Sequence, residues 1–428
     1  MPETNRSTEI ELREIDASEI LGKIQRREQV IYDHAIINGE LDFAILEESH
    51  IVSPISITNS QFKGPVYFGK IFYADTDFKH ALFSENVRGI PTFTKNANFD
   101  EAVFMKDAFF NKVVFEGHAN FRGAEFGYAG FEGAKFNWEA RFDGANIKGY
   151  AIFSDAVFIR DARFSGATFG RENPPFRYYV AAFEKATFNS KAQFSNTKFI
   201  GDASFNEAMF RKGTDFSEAM FSKNADFDES KFEGDDLTFR NAIFNKPGVQ
   251  EDACRRAKIV LAKTGNRDEE EYHFYREMEA KRIRKGIRDN SGLSLVDLVD
   301  CLKTDTWSFW RFFFHDVIEW IFVQMMFGYG VHFERLIASW AVIVLLFAVL
   351  YYQGGAISGA VWWFDDLKIS FGTAIAPGYI TAIINAGNST GGYKITSGYY
   401  QVAAMVETVL GTFLWAGFIA TFAKKYMR

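Results

Sequence analysis

A chain of 428 residues with 24% charged and 47% hydrophobic residues has room for two or three domains and does not have the composition of a disordered segment. Its formal net charge of −7 excludes the basic footprint of a nucleic-acid binder. Cys254 and Cys301 lie too far apart for a metal spacing and suit a reducing compartment; the polar start "MPETNRSTEIELREID" predicts no cleavable signal peptide.

The first 35 residues read as a polar segment with one capping helix, "DASEILGKIQRRE" at 16–28, with Asp16 or Ser18 as its N-cap. Residues 36–245 carry much of the excess of phenylalanine, 48 in all. In "GDASFNEAMFRKGTDFSEAMFSKNADFDESKF" the rings fall at Phe205, Phe210, Phe216, Phe221, Phe227 and Phe232, in steps of five and six. Two residues before each stands Ala203, Ala208, Thr214, Ala219, Ala225 or Ser230. The pattern holds from Phe99 to Phe142, passes through Ile147, and resumes at Phe153. "GRENPPFRYYVA" interrupts it before Phe183.

An 11-residue repeat with inward positions 0, 2, 5 and 7 scatters them around a helix, and the steady period of two of a long strand is absent. A coil that turns a corner every five or six residues satisfies the spacing. Each side points one small and one large residue inward, and four sides make a turn of roughly 20–22 residues, with coils stacked at about 4.8 Å. Small residues are expected to ease the corners, and six-residue steps to carry bulges. This pattern, over about 185 residues, resembles the pentapeptide-repeat family. The resemblance implies a right-handed quadrilateral β-helix. Some members of that family mimic DNA by being strongly acidic; here residues 95–245 hold 22 Asp/Glu against 19 Lys/Arg, which argues against it. His118 is isolated and reads as solvent-facing.

After Phe244 the repeat stops. Residues 246–303 read as a helical connector: an amphipathic helix over 250–264, a stop at Gly265, and a second helix from "NRDEEEYHFYREMEAKRIRKGIR" that covers the end of the solenoid. Lys281, Arg282, Arg284, Lys285 and Arg288 fit either a solvated face or contact with anionic lipid headgroups. Residues 304–335 are rich in Trp and Phe but hold Arg311, His315, Asp316 and Glu319, which predicts an interfacial helix rather than a span. His315 and Glu319 share a face, and an ion pair there is favoured over a metal pair. "GYG" at 328–330 precedes the first span and is read as a turn.

Residues 336–428 read as a two-span domain. "LIASWAVIVLLFAVLYY", 336–352, has 17 residues and no charge, about 26 Å as a helix. "VAAMVETVLGTFLWAGFIATFA", 402–423, has 22 residues, about 33 Å, with one charge, Glu407. Lys424, Lys425 and Arg428 follow, so both flanks are expected in the cytoplasm and the chain in the plasma membrane. The intervening "GAVWWFDDLKISFGTA" is amphipathic, which a plain hairpin anchor does not require.

"ISFGTAIAPGY" resembles the pore signature of two-transmembrane channels of the potassium-channel superfamily, S-x-x-T-x-T-T-V-G-Y-G-D, with Ser370, Thr373, Gly378 and Tyr379 in register. Glu407, Gly411 and Gly417 resemble that family's inner helix. The resemblance implies a pore helix, a re-entrant loop over Ser370, Thr373, Ala374, Ile375, Ala376, Pro377, Gly378, Tyr379 and Ile380, and assembly of several copies, four by default. Ile375 and Ala376 stand where the family has threonines, Pro377 where it has valine, Ile380 where it has glycine, and Thr381 where it has aspartate. A potassium filter replaces the hydration shell with hydroxyls and carbonyls; these departures imply a pore for monovalent cations with weak or non-potassium selectivity. Along the inner helix Glu407, Gly411, Leu414, Gly417, Phe418 and Phe422 are candidates for pore lining or gate. Glu407 faces either a pore or the pore helix. Gly411 and Gly417 serve as hinge or packing sites, and Phe418 and Phe422 as gate or lipid contacts. No nucleophile, base and metal constellation appears, so the chain is expected to be no enzyme and to need no cofactor. The competing reading is a membrane-tethered scaffold with a non-conducting pore.

Overall fold

The structure is a computed structural model that describes residues 13–171, 181–284, 333–355, 357–358, 363–375, 394–395 and 398–426. It divides into two compact units, Met1–Lys285 and Gly286–Arg428.

The first unit is a β-solenoid of about ten coils. One side is a ten-stranded parallel sheet, another a nine-stranded one, and an 18-stranded sheet supplies the remaining two by folding round a corner. The register is one coil to the next: Ala97 pairs with Ala119, Ala119 with Ala140 and Ala140 with Ala162. Each side is only a few extended residues long, so strand alternation puts two residues inside and one outside. Ala97 and Phe99 are both fully buried around the outward Asn98. The rings form columns. Phe99, Phe121, Phe142, Phe164, Phe194, Phe216 and Phe239 stack with centroids 4.9–5.0 Å apart and near-parallel planes.

The small residues point inward beside the rings, as the spacing predicts, but the bends expected at them are made by other residues. The tight corners fall after alternate rings: Ala102 N–H donates to Phe99 O at 3.1 Å, and Glu101 between them has φ 56°. Lys112, Lys185, Glu207, Glu218 and Glu229 take the same left-handed conformation at equivalent corners. Such positions ordinarily favour Gly or Asn; the interstrand ladder on both sides holds these long polar residues there. The six-residue step from Phe104 to Phe110 does carry a register shift, between Phe104 and Asp107. Residues 172–180 of the interruption lie outside the described residues. Across it the ladder is unbroken: Ala151 pairs with Ala181, and Phe153 stacks on Phe183 at 5.0 Å.

Both ends are covered. Helix α1, Ala17–Gln25, is capped by Asp16, whose carboxylate accepts from Ser18 N–H at 2.9 Å, and it buries Ala17, Ile20, Leu21 and Ile24 in the solenoid core. At the other end helix α2, Pro247–Thr264, starts three residues before the sequence expectation because Pro247 fits the first turn of a helix. Gly265 ends it at φ 74°, and α3, Arg267–Arg284, folds back on it. α3 satisfies exposed backbone groups of the last coil. His273 Nε2 accepts from Phe239 N–H at 3.4 Å, Tyr272 Oη accepts from Asn241 N–H at 2.8 Å, and Arg276 donates to Ala242 O at 2.7 Å. An uncovered coil would present a free strand edge.

His273 is fully buried, and burial, followed by Arg276 and Arg240, pushes its pKa down to about 3. In the unfolded chain it takes a proton below about pH 6.5. The folded cap stays neutral, so its contribution to stability is complete above that pH and is lost as the pH falls toward 3, by up to about 1.4 kcal/mol per pH unit. His273→Gln, which offers an acceptor that does not titrate, is expected to flatten the fall of the solenoid melting temperature between pH 6.5 and 4. Equal slopes for variant and parent would refute this.

The basic stretch in α3 is not a uniform solvated face. Arg282 is buried, Lys281 Nζ lies 2.6 Å from Glu277 Oε1, and Arg284 Nε lies 2.9 Å from Glu251 Oε2. Lys285 and Arg288 lie outside the described residues, as does the expected interfacial helix up to residue 332. His118 is partly exposed, with its ring edge-on to Trp138 at 5.8 Å.

In the second unit, α4 spans Phe333–Gly354, α5 Trp363–Ile375 and α6 Gly398–Tyr426, and each of the three packs on the other two. Ile357–Ser358 pairs antiparallel with Lys394–Ile395.

Candidate functional site

Helices α4 and α6 contain the windows Ile337–Gly354 and Gly398–Ile419, which are long and apolar enough to cross a membrane. The second begins four residues before the sequence-expected span. Most of both windows is uncovered within the chain: Val342, Leu346 and Val349 on α4, and Val402, Val409 and Phe413 on α6, are exposed.

Between these two helices lies α5, shorter than a span at 13 residues. It is pinned by one carboxylate. Glu407 of α6 is fully buried, as are Tyr351 of α4 and Ser370 and Thr373 of α5. Tyr351 Oη donates to Glu407 Oε2 at 2.7 Å. Thr373 Oγ1 lies 2.7 Å from the same oxygen and 2.9 Å from Ser370 O. Ser370 Oγ reaches both Glu407 Oε1 and, at 2.7 Å, Val344 O of α4. A polar group in an apolar bundle is stable only where its hydrogen bonds are made inside the protein. This carboxylate has hydroxyl partners on both neighbouring helices.

One turn along α6, Gly411 lets the backbones meet. A Cβ there would stand 2.2 Å from Ala374 O and 2.6 Å from Ala374 Cα. Gly411 is thus a close-packing position, one of the two roles its sequence context allows. Leu414 and Ala374 are buried, Gly417 is partly exposed, and Phe418 stacks on Trp415 at 5.4 Å. Ile375 ends α5 and is exposed. Ala376, Pro377, Gly378, Tyr379 and Ile380 lie outside the described residues, and so does the side chain of Phe422.

The structure therefore brings Ser370, Thr373, Ala374, Glu407 and Gly411 together at one junction. Tyr351 joins them although it stands out in no motif. It ends an apolar run and reads there as an interfacial aromatic, and its partner is 56 residues away. Among the described residues no group of three or more His, Cys, Asp or Glu could hold a metal ion.

Residues 91–135, 131–173 and 178–220 match the family model described as Pentapeptide repeats (9 copies). No curated protein and no solved structure matches the chain. The chain carries a pentapeptide-repeat β-solenoid, followed by two helices that are long and apolar enough to cross a membrane.

Proposed function

We propose that the chain is a subunit of an oligomeric membrane ion channel, four copies by default, in which α4, α5 and α6 form the pore unit and the solenoid lies on the cytoplasmic side of the plasma membrane. The observation that carries this reading is a helix too short to span, pinned by a buried carboxylate between two helices long enough to do so. A plain two-helix anchor has no use for it. The exposed Phe364, Phe371 and Ile375 of α5 support association with further copies. A helix too short to cross leaves unsatisfied backbone groups at its ends at membrane depth, and these need protein or a water-filled cavity around them. The permeant species is a monovalent cation, weakly selected, because Ala376, Pro377 and Ile380 replace the residues that give a potassium filter its ligands. Of the basic residues read as a headgroup contact, Lys281, Arg282 and Arg284 are engaged within the cap, which leaves Lys285 and Arg288 as the proposed contacts.

The second reading is a membrane-tethered scaffold that does not conduct. The extent of the solenoid, and the confinement of the family match to it, favour this one. Purified full-length protein in a planar bilayer separates the two: unitary currents support the channel, and an assembled but silent oligomer supports the scaffold.

A further inference from the structure

We infer that Tyr351 is a positioning residue of the pore unit: its hydroxyl holds Glu407 against α5 and thereby fixes where the C-terminal end of that helix sits. The inference rests on the channel reading for its conduction readout. Its geometry does not depend on that reading.

Glu407 reaches α5 through Ser370 and Thr373, and α5 in turn reaches α4 through Ser370 and Val344 O. Ser370 has one proton for two acceptors, so it cannot fully satisfy both. Among the described residues the acceptor for Tyr351 is Glu407 Oε2, and Thr373 shares that oxygen. The Tyr351 bond therefore ties Glu407 to α4 without drawing on the hydroxyls that hold α5. The phenol is fully buried. A long helical side chain leans toward the N-terminus of its helix, which carries the ring from the end of α4 toward the level of Val344. Remove the hydroxyl, and among the described residues Oε2 keeps only Thr373, which already divides its proton between Glu407 and Ser370 O. The last turn of α5, packed backbone to backbone against Gly411, then hangs on a carboxylate that has lost its tie to α4.

The test uses full-length protein in bilayers and in lipid nanodiscs. Tyr351→Phe removes only the oxygen. Tyr352→Phe, at an exposed neighbour, is the control. Amide exchange over residues 370–375 is expected to rise about tenfold in Tyr351→Phe, the size of one buried hydrogen bond. The sodium-to-potassium permeability ratio is expected to shift at least about twofold, a change that altered protein amount does not produce. Because Tyr351 acts through Glu407, the ratio in Glu407→Leu, which offers the phenol no acceptor, is expected to change little when Tyr351→Phe is added. That comparison also decides the matter should the single Tyr351→Phe variant fail to assemble. Additive effects, or exchange and permeability equal to those of Tyr352→Phe, would overturn the inference. Faster exchange with an unmoved ratio would also overturn it, by reducing Tyr351 to a stability contact. A silent parent protein would remove the channel reading, and the exchange result alone would then decide for or against Tyr351.

Discussion

Replacing Phe216 with Asp is expected to abolish the cooperative melting of the solenoid. Phe216 is fully buried, stacked 4.9 Å from Phe194 on one side and 4.9 Å from Phe239 on the other. It also meets the edges of Phe205 and Phe227. An aspartate there would place an unpaired carboxylate among rings, at a cost of several kcal/mol beyond the lost packing. That is comparable with the whole stability of an ordinary domain. A solenoid is held by nearest-neighbour contacts, so a broken coil near the C-terminal end also uncouples the α2–α3 cap from the remainder. Circular dichroism against temperature reads the result. Phe216→Leu, which keeps the site apolar, is expected to melt cooperatively at a lower temperature. An unchanged curve for Phe216→Asp would mean that the rings do not form the core.

The second large effect belongs to Gly411. Gly411→Ala adds one methyl group, yet its contacts would be with Ala374 backbone atoms, at 2.2, 2.6 and 2.8 Å, which cannot rotate away. The helices α5 and α6 must separate, and the Glu407 hydrogen bonds one turn away stretch with them. Overpacking of this kind costs about 1–3 kcal/mol. A measurable fraction of each buried hydrogen bond is added to that. The full-length variant in detergent is expected to melt about 5–10 °C lower than the parent. Gly398→Ala, where the added carbon meets open space, is expected to be silent. Equal melting temperatures for the two variants would contradict close packing at Gly411.

The inward rings and the coil length were legible because their five- and six-residue steps exclude a helix and a long strand alike. The corners were not. The inward small residue two before each ring was legible from the same spacing, but each strand is too short to show which residue makes the bend. The left-handed corner falls on Gly123, Gly133, Gly144, Asp155, Gly166, Asn196 and Asn241, but also on His80, Glu101, Lys112, Lys185, Glu207, Glu218 and Glu229, which breaks the turn signature. In α3, the pairing of Lys281 with Glu277 is readable at four residues' spacing, whereas that of Arg284 with Glu251 requires knowing how α2 and α3 cross. The same holds for His273, which becomes part of a cap only once Phe239 is placed beneath it. In the second unit Ser370, Thr373, Glu407 and Gly411 stood out through a motif, and the structure gathers them. Tyr351 needed the third dimension.

The most direct measurement is the reversal potential of the reconstituted full-length protein with potassium on one side of the bilayer and an equal concentration of sodium on the other. The sequence offers Ala376 and Ile380 where a potassium filter has threonine and glycine, so ions are expected to pass with part of their water retained and to be poorly distinguished. The expected result is unitary current reversing near zero. Reversal displaced far from zero in the direction set by potassium would contradict weak selectivity, and the absence of current from a correctly assembled oligomer would contradict the channel itself.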